Sequence, residues 1–233
     1  MSLSSDNRDV PASQTVVSLG ATFVILAVLL FWPAGSWGWG LGWAFLAALA
    51  VQIAIALPWL QRVNPEIIAA RQGIGPNTKG WDYILMPLVM VGLVGVLPVA
   101  ALDNARFALS APPFTVILFG YGLFVAGFWI MAWAQAVNRH FEPSVRIQTE
   151  RNHQVVETGP YAYVRHPGYL AASLLAFGWG FALGSTWAQI PALLTTLVLI
   201  VRTELEDRTL QAELPGYPDY ARSVRAKWIP GVY

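Results

Sequence analysis

Two histidines, three tyrosines and two arginines gather in one short part of an otherwise greasy chain. His153 and His166 lie within residues 151–169, Arg-Asn-His-Gln-Val-Val-Glu-Thr-Gly-Pro-Tyr-Ala-Tyr-Val-Arg-His-Pro-Gly-Tyr, and His140 stands just before them. Imidazole, phenol and guanidinium groups can bind a nucleoside, move a proton or orient an anion. Three imidazoles could also hold a metal, but no HxxxH or HxH spacing puts two of them on one rigid element, so no metal is expected. Gly159 allows close backbone approach to a ligand. No GxGxxG or GxxxxGK[ST] loop is present, so a Rossmann or P-loop site is not indicated. A second polar group, Arg202-Thr-Glu-Leu-Glu-Asp-Arg, ends the last apolar run. On a helix Arg202 and Glu206 share a face, as do Glu204 and Arg208, and each spacing suits an i, i+4 ion pair.

The elements that must position these groups are membrane spans. Of the 233 residues 56% are hydrophobic and 12% charged, against roughly a quarter charged in soluble domains. A net charge of +1 supplies no basic patch for nucleic acid. The absence of cysteine excludes disulfides, thiolate zinc sites and a thiol nucleophile.

Apolar runs of ~18 residues or more read as spanning helices. They fall at about Val16–Trp32, Trp37–Leu60, Trp81–Ala101 and Phe114–Val137, so residues 15–137 read as four spans after a disordered N-terminus, 1–14. The first run lacks the flanks of a cleaved signal and reads as a retained helix. Trp37, Trp39 and Trp43 suggest an interfacial belt. Asn64-Pro65 is predicted to start a short surface helix, with Ile67 and Ile68 dipping into the interface. Leu102–Pro113 reads as a connection. Residues 138–233 add the polar loop, a hairpin of two short runs (about Leu170–Leu183 and Trp187–Val201), and a helix continuing to Pro215. A short amphipathic helix from Gly216 to about Trp228 follows. Each short run makes roughly 22 Å of helix, less than the ~30 Å hydrocarbon core. The predicted fold is therefore an all-α integral membrane protein of about five to six spans, with a polar loop and a C-terminal helix on one face. With the N-terminus inside, every Lys and Arg except Arg106 falls on inner segments, which predicts a cytoplasmic N-terminus, loop and C-terminus.

The ordered set His153-Gln-Val-Val-x-x-Gly159-Pro-Tyr161-x-x-x-Arg165-His-Pro-Gly-Tyr169, an apolar hairpin, Arg202-x-x-x-Glu206-Asp-x-x-Leu210 and Gly216-Tyr-x-x-Tyr220 closely resembles the isoprenylcysteine carboxyl methyltransferase family and its phospholipid-methyltransferase relatives. The resemblance covers about residues 150–230. It implies an S-adenosylmethionine-dependent membrane methyltransferase in which His153, Gln154, Val155 and Val156 border the cofactor. Tyr161 and the His166-Pro167-Gly168-Tyr169 turn would hold its adenosine and amino-acid parts, and Gly159 and Arg165 belong to the same motif. Glu206 would contact the cofactor from the last helix, and Arg202 would face a lipophilic or small hydrophobic acceptor. Two positions depart from the family pattern: Asp207 replaces a second glutamate and Gly168 a serine, which leaves acceptor identity open. A carboxylate clamped by Arg202 is the first expectation for the acceptor. A phospholipid amine, a small thiol, and an NADPH-dependent reduction of the sterol-reductase kind are the alternatives. A transporter would be expected to carry ionisable groups in mid-span, and the central runs have none.

Overall fold

The computed structural model describes residues 12–67 and 74–233. Within them the regular structure is helical. The long helices are α1 (Ala12–Ala34), α2 (Gly40–Val63), α3 (Asp82–Ala100) and α4 (Phe114–Val137), followed by α5 (Pro167–Ala182), α6 (Gln189–Glu213) and the short α7 (Tyr217–Ser223). Four segments are long and apolar enough to cross a bilayer: Thr15–Ala34, Gly40–Val63, Asp82–Arg106 and Phe114–Val137. Lipid offers no partners to backbone N–H and C=O groups, so such runs form helices that satisfy their own. The chain is a multi-pass membrane protein.

The C-terminal hairpin is locked against the spans by small residues. A Cβ on Gly120 of α4 would stand 2.3 Å from the Ala182 nitrogen, and one on Gly178 of α5 would stand 2.5 Å from the Phe124 nitrogen. Backbones this close gain dispersion contacts that larger side chains would prevent. At 16 residues, α5 reaches about 24 Å. The 25 residues of α6 carry it well beyond its apolar part, and it ends at Glu213, as the breaker Pro215 predicts.

Several local expectations change. The third span does not stop at Ala101 but runs on as a π-helical turn over Ala101–Arg106. Its polar residues find distant partners: Asp103 accepts from Ser185 Oγ at 2.5 Å and Trp187 N–H at 3.2 Å, and Asn104 donates to the Gly184 carbonyl at 3.1 Å. Trp37 and Trp43 are exposed, but Trp39 is buried with its indole N–H on Asn104 Oδ1 at 3.0 Å. Asn64 follows the end of α2, and its amide nitrogen donates to the Gln135 carbonyl at 2.7 Å, tying α2 to α4. Ile67 is buried in protein instead of at the interface. Most of the expected surface helix, and the N-terminal tail to residue 11, lie outside the described residues. Helix α7 ends at Ser223; the chain then turns Trp228 inward, where its indole N–H meets Thr203 Oγ1 at 2.9 Å.

Candidate active site

The polar loop, the start of α5 and the outer half of α6 enclose a cavity of about 260 Å³. Every loop residue singled out from the sequence lines it except Gly159: His153, Gln154, Val155, Val156, Tyr161, Arg165, His166, Pro167, Gly168 and Tyr169, with Arg202 and Glu206 from α6. Gly159 sits behind it at φ +62°, its backbone against Trp133 and Val137 of α4. Beyond the polar end the cavity continues between Met86, Val89, Met90 and Leu93 of α3, Met131 of α4, Ala172 of α5 and Leu199 of α6. One void is polar at one end and apolar at the other.

The polar end is built on Gln148, which is almost fully buried. Its amide donates to the His140 carbonyl at 2.7 Å, and its backbone N–H reaches His153 Nδ1 at 3.3 Å. The His140 and His153 rings lie with centroids 4.5 Å apart and planes tilted by 33°. Burial, then the charges around it (His140, Arg146 and Arg151), push His153 down to about 4; burial also lowers His140. A neutral His153 can accept or donate a hydrogen bond without adding charge. Among the described residues no three His, Cys, Asp or Glu side chains converge as a metal site.

Two of the expected contacts also serve as internal supports. Asp207 receives Arg165 Nε at 2.8 Å and Nη2 at 3.1 Å, Tyr217 OH at 2.8 Å and Gln211 Nε2 at 2.8 Å, with His166 Nε2 at 3.2 Å. Burial by itself raises this carboxyl, but the His166 and Arg165 bonds outweigh it and hold it well below the usual carboxylate range. Arg165 Nη1 also donates to the Val224 and Arg225 carbonyls, both at 2.8 Å. The backbone N–H groups of Arg165 and His166 pair with the Ala226 and Lys227 carbonyls at 3.0 and 2.9 Å. Arg165 therefore pins the C-terminal segment beneath the loop. Tyr161 is held similarly, its hydroxyl accepting from Asn138 at 3.0 Å and its carbonyl from Tyr220 OH at 2.7 Å.

At the junction of the polar and apolar halves stand Tyr169, Arg202 and Glu206. The Tyr169 hydroxyl donates to Glu206, and the Arg202 guanidinium lies 5.5 Å from the Tyr169 ring centre, a cation–π distance. The expected i, i+4 pairs do not form. Arg202 is taken by Asp82 of α3, with Nε at 2.6 Å and Nη2 at 2.9 Å. Glu204 is taken by Lys227 and, at 2.5 Å, by the Tyr233 hydroxyl. Asp82 was not foreseen as part of the site, although its type and place signal a need: a carboxylate opening an apolar span needs a partner. Gln148 and Asn138 carried no such signal, whereas Tyr217 and Tyr220 stand in the Gly216-Tyr-x-x-Tyr220 part of the motif.

Residues 115–214 match the phospholipid methyltransferase family (PEMT). Over that stretch the chain is similar to a family of membrane methyltransferases. The protein is a methyltransferase, and the matched family is related to the isoprenylcysteine carboxyl methyltransferases that its motifs resemble. The match runs from the start of α4 through the loop and the hairpin to the end of α6. It takes in Arg202, Glu206 and the whole 151–169 stretch, and leaves out Asp82, Tyr217 and Tyr220. A comparison with curated proteins finds no match.

Proposed function

We propose that this methyltransferase moves a methyl group from S-adenosylmethionine to a lipophilic acceptor that reaches it from the bilayer. The observation carrying this reading is the two-ended cavity with Tyr169, Arg202 and Glu206 at the join. S-adenosylmethionine would supply a methyl group activated on a sulfonium. His153, Gln154, Val155, Val156, Tyr161 and the Pro167–Tyr169 turn would hold it, with the Glu206 carboxylate facing its positive charge. The neutral His153 adds no repulsion there. The fit is favourable in the donor set as well as in shape: aromatic and aliphatic walls for a purine, and a carboxylate for a cation. Displacement at a methyl group needs no metal, so the residues act by alignment and by excluding water.

The carboxylate acceptor expected from the sequence relies on Arg202 as a two-pronged clamp, and Asp82 fills that fork. The arrangement therefore favours an acceptor amine of a phospholipid. Glu206 and His166 are the groups proposed to receive the amine proton. An NADPH reading needs an available cation for the extra phosphate, whereas the cavity's Arg165 and Arg202 are paired with aspartates and Arg146 with Glu142 and Glu150. Of these guanidinium nitrogens only the Arg146 Nη1 is buried without a partner among the described residues. The distribution of basic residues supports a cytoplasmic face for the site. Because the cavity draws on α3 and α4 as well as on residues 138–233, bundle and loop are read as one catalytic unit.

The test is methyl transfer by detergent-purified protein from methyl-labelled S-adenosylmethionine. Three acceptors would be offered separately: phosphatidylethanolamine, a prenylated cysteine and a long-chain thiol. Label is expected on the amine lipid. Label on the prenylcysteine carboxylate alone would overturn the amine assignment, and no label on any acceptor would count against the transfer itself.

A further inference from the structure

Asp82 opens α3 and is fully buried, with 0 % of its surface exposed. Its Oδ1 accepts from Arg202 Nε at 2.6 Å; its Oδ2 accepts from Arg202 Nη2 at 2.9 Å and from the Val145 N–H at 2.7 Å. The second hydrogen of Nη2 goes to the Pro143 carbonyl at 2.5 Å. A guanidinium grips a carboxylate through Nε with Nη2 or through both Nη atoms, and both grips need Nη2. With Nη2 saturated, neither grip is open to an incoming acceptor. Arg202 lines the cavity while Asp82 lies behind it. One guanidinium is thus set against two carboxylates, Asp82 and Glu206, and the junction carries a formal charge of −1.

We infer that Asp82 is a positioning residue that sets acceptor specificity. By closing the fork of Arg202 and cancelling its charge, it makes the cavity choose amphiphiles with cationic or neutral headgroups over those with a carboxylate. The inference rests on the methyl-transfer reading above and assigns a role to a residue outside the matched family region. A purely structural Asp82 would affect folding and all ligands alike. A specificity role moves the ratio between headgroups, which is what distinguishes the two.

The experiment measures binding of dodecylamine and of dodecanoate, two probes with the same chain, to the full-length protein in detergent loaded with S-adenosylhomocysteine. Wild type is expected to prefer the amine. Asp82→Asn removes one negative charge and one of the two acceptors that fill the fork, and should shift the ratio toward dodecanoate by about tenfold, the scale of one charge-assisted contact. Its affinity for S-adenosylhomocysteine should change by no more than about threefold. The double variant Asp82→Asn with Arg202→Gln removes a self-cancelling pair and should return the ratio to within about threefold of wild type. Wild-type preference for dodecanoate overturns the inference whether or not any variant folds. So does an unchanged ratio in an Asp82→Asn protein that still binds S-adenosylhomocysteine. Failure of the methyl-transfer reading would look different: wild type itself would not bind S-adenosylhomocysteine.

Discussion

The third span begins and ends on a buried aspartate, and the two are used differently. Asp103, 3 % exposed, accepts from the Ser185 hydroxyl and the Trp187 N–H. Its donors are neutral, and together with Asn104 they close the turn between α5 and α6. Asp82 instead faces a guanidinium that lines the cavity. A carboxylate held through one oxygen by neutral donors fixes backbone. One paired with Arg202 gives up its charge to a neighbour and decides where a functional cation points. The same residue type at the two ends of one helix therefore serves folding at one end and, on the reading above, chemistry at the other.

That contrast can be broken from either side. The largest effect is expected at the cavity end: Arg202→Ala leaves Asp82 buried without its cation and removes the guanidinium beside Tyr169, and should lower turnover by at least about a hundredfold, the scale seen when one preorganised donor is removed. Its affinity for S-adenosylhomocysteine should stay within a few-fold of wild type. Lost cofactor affinity would place Arg202 on the cofactor side instead. Next, Tyr169→Ala removes both the bond to Glu206 and the ring beneath Arg202. It should weaken S-adenosylhomocysteine binding about tenfold, or ~1.4 kcal/mol, and unchanged affinity would count against the proposed pocket.

At the other end, Ser185→Ala leaves Asp103 with one donor fewer, at a cost of about 1–3 kcal/mol. The expected result is a lower midpoint of thermal unfolding in detergent with unaltered turnover. A change in turnover would show that the two ends are not independent.

The smallest effect concerns pH. His153 is held at about 4 in the fold, below its ordinary value near 6.5, so the native state favours the neutral ring. Its contribution to stability is complete above about pH 6.5 and is lost as pH falls through 4. Thermal stability measured between pH 7 and 4 should fall less steeply in His153→Asn than in wild type; an identical slope would remove His153 from the account.

Much of this architecture was legible in the chain because its causes are local. The run Phe114–Val137 is apolar from end to end and forms α4 with those same limits. Nothing breaks the last helix before Pro215, and α6 ends at Glu213. The 151–169 motif is one continuous segment, so its members travel together, and of the residues assigned there to the cofactor all but Gly159 line one cavity. What stayed hidden depends on partners remote in sequence. Arg202 looked ready to pair with Glu206 four residues on, yet its partner lies 120 residues earlier. Trp39 looked interfacial until Asn104, 65 residues away, took its indole. The polar end of the third span read as a connection because Ser185 and Gly184, which bond Asp103 and Asn104, approach only when the hairpin folds back. Local spacing identifies which residues want a partner. Tertiary structure decides which partner they get.

The central claim is that the cavity between the 151–169 loop and the end of α6 holds S-adenosylmethionine. The most direct measurement is calorimetric titration of the detergent-purified protein with S-adenosylhomocysteine and, separately, with NADP. The account expects saturable binding of S-adenosylhomocysteine at one site per chain and none of NADP. Binding of NADP with no binding of S-adenosylhomocysteine would contradict it.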